Sequence, residues 1–244
     1  MKYLFTFLFL FSILILKGQT VLKKSINKDS LVNVLTKDLP LDLKTNFLNE
    51  YHSASDTVKE YILYILSMPR SSKKLMVANI DSNYQKIILL KTEYTKLVPK
   101  NCEVSIEFNQ GNQDFNEKES IDLRIAMTEN NERKVSQDWN MLWGSPKLDS
   151  MIKSVGWNYN TLNGIKKLLR EVKCISIENG SGCIIGYARS GLGKYSYLLF
   201  DNELNAEQVK QYNDGCNFIF YKKNIVLEYE GGAAGPQCFP DKNN

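Results

Sequence analysis

Histidine is nearly absent: the 244-residue chain has one, His52. A serine or cysteine nucleophile activated by histidine would have to use that residue, and no G-x-S-x-G elbow surrounds it. It stands beside Ser53 and Ser55, between two expected helices, where a loop or capping residue is the ordinary reading. Zinc sites built from two or three histidines are impossible within one chain. The five cysteines include no C-x-x-C pair, which removes the dithiol and zinc motifs of that spacing. No metal, no cofactor and no catalytic residue is expected from these patterns.

Charge of one sign is lacking as well. There are 31 basic and 27 acidic residues, a net charge of +4. That balance gives no electrostatic case for nucleic acid, which needs clustered cations. Internal repeats and low-complexity linkers are also missing.

After residue 16 there is no long apolar run. The one before it, residues 3–16, follows Lys2 and is broken only by Thr6 and Ser12. At 1.5 Å per residue it covers about 21 Å, short of the roughly 30 Å hydrocarbon core a spanning helix crosses. A charged start, a short apolar core and the small Gly18 make residues 1–18 a secretory signal peptide, cut between Gly18 and Gln19. An uncleaved N-terminal anchor is the alternative. Cleavage removes Lys2 and Lys17, so 29 basic residues face 27 acidic ones, a net charge of +2. The first cysteine is Cys102, so a lipid anchor through an N-terminal cysteine is excluded. The protein is therefore expected in the periplasm or outside the cell, meeting the membrane only through its signal.

An oxidising compartment favours disulfides, and an odd cysteine count leaves at least one thiol over. Cys216 and Cys238 bracket the last expected hairpin and its tail. Cys174 and Cys183 span another hairpin and form the second candidate pair, leaving Cys102 free. A four-residue turn at 179–182 would set Cys183 opposite Glu178, so Cys174 would not lie directly across from it; 216–238 is the preferred bridge.

Two patterns divide the remainder. Residues 19–99 read as a helical region. Ser30 is placed to cap a short helix that Pro40 ends, and Leu43, Phe47, Leu48 and Tyr51 share one helical face. Asp56 opens another helix that Pro69 stops. Ser71 or Ser72 opens a further one, and a last helix runs over 83–98, although residues 86–90 read equally as a strand. Residues 100–244 read as an α+β domain with an antiparallel sheet. Val104, Ile106 and Phe108 alternate with polar residues, as do Ile121, Leu123, Ile125 and Met127. Residues 109–120 form the long loop of that hairpin. Ser145-Pro146 begins a helix ending near Gly156, a second helix covers 161–173, and strands follow at 174–177, 183–187, 195–200, 216–221 and 225–229. Asn205 with Gln208 caps a short helix between the last strands. The fold class is α+β, helices leading and an antiparallel sheet closing.

The segments 173–177 (KCISI), 185–197 (IGYARSGLGKYSY) and 212–239 (YNDGCNFIFYKKNIVLEYEGGAAGPQCF) resemble a group of uncharacterised exported proteins of Bacteroidota. The resemblance spans roughly residues 140–240. It implies an envelope location and supplies no activity and no catalytic residues.

Several constellations remain. Arg189-Ser190-Gly191-Leu192-Gly193-Lys194 resembles a phosphate loop, but Ala188 stands where the first glycine is needed and Tyr195 where Ser or Thr is needed. What is left is a hairpin loop that brings Arg189, Lys194, Tyr195 and Tyr197 together, the residue types found at interface hot spots. Glu228 and Glu230 share one strand face, and a glycosidase pair needs carboxyls about 5 to 9.5 Å apart. Asp114, Glu117, Glu119 and Asp122 crowd one loop without the calcium-loop order. Trp139 and Trp143, four apart, suit one helical face for core packing or sugar stacking. The expected function is a non-enzymatic envelope binding protein, of immunity or inhibitor type, holding another envelope protein or polymer through Arg189, Lys194, Tyr195 and Tyr197. The alternatives are a carboxylate-based hydrolase of envelope glycans and a structural envelope component.

Overall fold

A computed structural model describes residues 22–129, 132–232, 235 and 237–240. The expected signal peptide and its cleavage point lie outside the described residues, as does part of the loop at 231–236. The chain is α+β and divides into two compact units: one runs to Ser67 and includes residues 111–118, the other holds residues 68–110 and those from Glu119 onward. The change of pattern at Pro99 is thus a change of secondary structure, while the compact units divide elsewhere.

The smaller unit contains α1 (Lys28–Leu35), α2 (Leu41–Ser53) and α3 (Asp56–Ser67). Asn27, not Ser30, caps α1, accepting a hydrogen bond from the Ser30 amide. Val32, Tyr51 and Leu63 are fully buried and pack with Leu22 and Phe115 into one core. Phe115 comes from a 3-10 turn, Gln113–Phe115, and meets the Tyr64 ring edge-on at 5.3 Å. The Lys23 amide donates to Asp114 O at 2.9 Å and the Asn112 side-chain amide to Ser67 Oγ at 2.9 Å. Those bonds tie the turn to the helices of its unit.

The larger unit is built on one eight-stranded sheet in the order β3-β2-β1-β4-β5-β6-β8-β7, antiparallel throughout. The strands are β1 (Cys102–Asn109), β2 (Ser120–Glu129), β3 (Glu132–Leu142), β4 (Ser176–Asn179), β5 (Cys183–Ser190), β6 (Gly193–Leu199), β7 (Phe218–Lys222) and β8 (Ile225–Glu230). Its helices are α4 (Lys73–Leu97), α5 (Pro146–Ser154), α6 (Tyr159–Glu171) and α7 (Ala206–Gln211). Ser72 caps α4, Ser145 caps α5 with Pro146 at the first helical position, and Asn205 with Gln208 forms a capping box at α7.

Two elements differ from the sequence reading. Residues 73–97 are one helix rather than two, with no strand at 86–90. No glycine or proline interrupts the segment, and the buried Ile80, Ile87, Leu90 and Tyr94 recur at helical spacing across the polar stretch Asp81-Ser82-Asn83. Residues 132–142 form a strand that no alternation announces. As the sheet edge it buries only Met141, and charged Glu132, Arg133 and Lys134 fill its start. Trp139 therefore sits on a strand, 61% exposed, and shares no helix with Trp143.

Helices α4, α5 and α6 cover one sheet face. Met76, Ile80, Leu90, Leu148, Ile152, Leu162 and Ile165 pack into one core with Ile106, Leu123, Ile177, Ile185, Tyr197 and Leu227. Polar groups inside that core are paired. Tyr197 Oη donates to Met76 O at 2.7 Å and accepts from Asn79 Nδ2 at 3.2 Å. The same Asn79 nitrogen donates to Val172 O at 3.0 Å. Tyr94 Oη donates to Val104 O at 2.8 Å, and Trp157 Nε1 to Leu97 O at 2.8 Å.

Cys216 and Cys238 are joined, whereas Cys102, Cys174 and Cys183 are free thiols, all buried. The second bridge expected at 174–183 is not made. The register places Cys183 opposite Asn179 and Leu199, so Cys174, lying before β4, has no sulfur across from it. Burial raises the Cys183 thiol to about 12 and Cys174 further, so both stay protonated. The bridge holds Phe239, 2% exposed, against Tyr195 and Tyr229, each ring centroid at 5.8 Å.

Reduction of that bridge is expected to cost about 3 kcal/mol, given the 22-residue separation. Phe239→Ala should cost about 3 kcal/mol by emptying its pocket. Combining the two should cost less than their sum, because both undock one tail. Urea unfolding of the four species, oxidised and reduced, measures this.

Candidate functional site

Strand alternation gives the sheet a second, chemically different face. Along β6, Tyr195 and Tyr197 point into the helix-covered core and neither has exposed area. Lys194 and Ser196 take the opposite side. This corrects the expectation that Arg189, Lys194, Tyr195 and Tyr197 form one exposed surface: the two phenols are core residues, and burial drives the Tyr197 hydroxyl well above its ordinary range. Arg189 and Lys194 do come together, on the other face.

The register lays out that face as a polar row. Asp122 is opposite Glu107, Glu107 opposite Ser176, Ser176 opposite Gly186, Gly186 opposite Ser196, and Ser196 opposite Glu228. Glu107, Ser176 and Ser196 are all buried, Ser196 completely. The Glu107 carboxylate accepts from Arg189 Nε at 2.6 Å and lies 3.7 Å from Lys194 Nζ. Lys194 Nζ is also 3.8 Å from Glu230 Oε2. Lys194 on β6 and Glu107 on β1 meet across two intervening strands, β5 and β4, and the Lys194 stem passes Gly186 of β5 on the way. A Cβ there would stand 3.4 Å from Lys194 Cδ and 2.0 Å from Ser176 Oγ. One strand pair along, Arg124 Nη1 lies 3.9 Å from Glu178 Oε1.

Glu228 is the unusual member. Its carboxyl is pushed up to about 7, first by burial, then by the charges of Glu230 and Glu178, while Lys194 pulls the other way. Its Oε2 and the Oγ of the facing Ser196 are buried and find no hydrogen-bond partner among the described residues. Buried polar atoms without partners are rare in proteins and call for an explanation. Here two occur on neighbouring strands beside an ion cluster, and a carboxyl protonated near neutrality can donate as well as accept.

The other sequence candidates do not converge. His52 lies in the last turn of α2, half exposed, its Nδ1 3.7 Å from Asp29. Asp114 and Glu117 belong to the helical unit, Glu119 pairs with Lys166 at 2.7 Å, and Asp122 accepts from the Asn140 amide at 2.7 Å. The glycine turn after Arg189 closes a hairpin, and the Gly191 amide donates to Pro69 O at 2.8 Å instead of facing an anion. Glu107, Ser176 and Ser196 were missed by sequence reasoning. Glu107 falls at a polar position of an alternating strand, so the pattern marks it as solvent-facing. Only the register across four strands brings it to Lys194.

No protein-family model, curated protein or solved structure matches this chain.

Proposed function

We propose that the protein is an exported envelope binding protein whose charged sheet face, and not a tyrosine surface, holds its partner. The observation that carries this reading is the facing pair of Ser196 Oγ and Glu228 Oε2, both buried and without partners among the described residues, beside the Glu107–Arg189–Lys194 cluster. A hydroxyl-rich polymer or polar peptide segment meets Arg189 and Glu230 at the rim, and as those side chains turn onto it the buried pair beneath is opened to the hydrogen bonds it lacks. Export and an envelope location rest on the first 18 residues and belong to the proposal. Affinity capture of tagged protein from the envelope of the cells that make it, with Ser196→Ala/Glu228→Gln as the comparison, tests the reading. A component recovered with wild type and lost with the double variant supports it. Equal recovery from both excludes this face.

A second reading, a glycan hydrolase, is favoured by one observation. Glu107 and Glu230 both lie within 3.8 Å of one ammonium, and Glu228 beside them holds its proton to about 7. A raised carboxyl beside two further carboxyl groups is the arrangement of a general acid with its partner. Release of reducing ends from envelope glycan, falling as pH rises through 7 and abolished by Glu228→Gln, would select this reading over binding alone.

The electrostatics of Glu228 also predict stability. Its folded carboxyl binds a proton more tightly than the unfolded one, so its contribution is fully present below about 4.5 and is lost as pH rises through about 7. The span amounts to about 3 kcal/mol. Wild type should therefore lose stability between pH 5 and pH 8, and Glu228→Gln should flatten that decline and melt higher than wild type at pH 8. Thermal unfolding of both proteins across this range is the check.

A further inference from the structure

A cavity of about 260 Å³ opens at the C-terminal end of α6, on the helix-covered side of the sheet. It is separate from the charged face: Phe108 lines the cavity, while its neighbour Glu107 points the opposite way. The indole of Trp143 forms one wall, stacked on Phe108 at 6.2 Å and tilted against Tyr159 at 5.8 Å. Leu169 and Ile175 supply further apolar lining. Two cations one helical turn apart, Lys166 and Arg170, stand at the same cavity.

Their electrostatic situations differ. Lys166 Nζ is 2.7 Å from Glu119 Oε2 and 5.4 Å from the centre of the Trp143 ring. Its charge is balanced. The Arg170 guanidinium is exposed and makes no hydrogen bond or ion pair among the described residues. The cavity thus combines an aromatic wall, apolar contacts at Leu169 and Ile175, and polar side chains at Asn109, Gln110 and Ser120. At Arg170 it adds a positive charge without an ion-pair partner among the described residues, whose planar fork matches a carboxylate.

We propose that this cavity binds a small aromatic carboxylate, with the ring against Trp143 and Leu169 and the carboxylate on Arg170. The size fits one ring with its acid group, since the volume lies just below the roughly 300–1,000 Å³ of drug-sized sites. A phosphate dianion is a poorer match, because Glu119 already neutralises the second cation. The proposal does not depend on the charged sheet face, and its failure leaves that reading intact.

Benzoate is the probe, with benzamide as its neutral counterpart and inorganic phosphate as the competing anion. Calorimetric titration of the full chain should give saturable, one-to-one benzoate binding. Benzamide binding and benzoate binding to Arg170→Gln should each be weaker by at least about tenfold. Benzoate should also quench the fluorescence of wild type, and Trp143→Phe should remove that response. Arg170 is exposed, so Arg170→Gln should melt with wild type, which separates loss of binding from loss of fold. Absence of saturable benzoate binding to wild type overturns the proposal. Equal affinity of Arg170→Gln, equal affinity for benzamide, or tighter binding of phosphate does so as well.

Discussion

The larger unit depends on a hydrogen bond buried where no water reaches it: the Tyr197 hydroxyl donating to Met76 O, with Asn79 closing the junction from α4. Burying a phenol and an amide in an apolar core is unfavourable unless each is paired, and pairing fixes where α4 sits along the sheet. A helix held by apolar contacts alone could slide by a turn and keep much of its burial. With Asn79 also bonded to Val172 O, such a slide would break bonds to β6 and to the end of α6 together. Tyr94 and Trp157 repeat the device farther along the same helix, each giving its one donor to a backbone carbonyl. Four polar side chains set the register, and apolar contacts supply the bulk of the stabilisation.

This constraint decides what the other face can do. Once Tyr195 and Tyr197 are committed to the core, period-two alternation sends Lys194 and Ser196 to the opposite side. There the problem reverses, because charge has to be accommodated on a half-buried sheet. Glu107, nearly inaccessible, is compensated by both Arg189 and Lys194. A buried carboxylate keeps its charge only with such partners. Glu228 is flanked by Glu230 and Glu178, and the lysine that could compensate it is drawn toward Glu107 and Glu230. The same lysine that secures one glutamate leaves its neighbour short of compensation. Gly186 keeps that row open, since a Cβ there would stand 2.0 Å from Ser176 Oγ and in contact with the Lys194 stem.

Much of the fold was legible, and the limits have physical causes. Helix ends were read through chemistry that is local: Ser145-Pro146 and the Asn205/Gln208 box act within four residues of themselves. The strands with one face on the core, such as β1 and β2, carry alternation and were readable. Edge strand β3 buries almost nothing, so it has no pattern to read. Cap competition misled at α1, where Asn27 and Ser30 are both good candidates three residues apart. For the site, adjacency in sequence stood in for adjacency in space, and on a strand that substitution fails. Arg189, Lys194, Tyr195 and Tyr197 looked like one surface because they are close along the chain. The partners that matter to Lys194 are on β1 and β8, and only strand order and register bring them within reach.

The alternation of β6 also determines which substitutions can speak about function. Removing the Tyr197 ring would empty a core site and take one hydrogen-bond partner each from Asn79 and Met76 O, so any loss of binding would be inseparable from loss of the fold. Ser196, Glu228 and Lys194 belong to the other face, and changes there leave the α4 junction untouched. Glu228 is the most informative of these, because neutralising a carboxyl that already resists ionisation should relieve electrostatic cost. A variant that is more stable at pH 8 and yet fails to hold a ligand would separate function from folding at one atom. Such a trade is expected where a polar group is kept in a setting that its own solvation opposes.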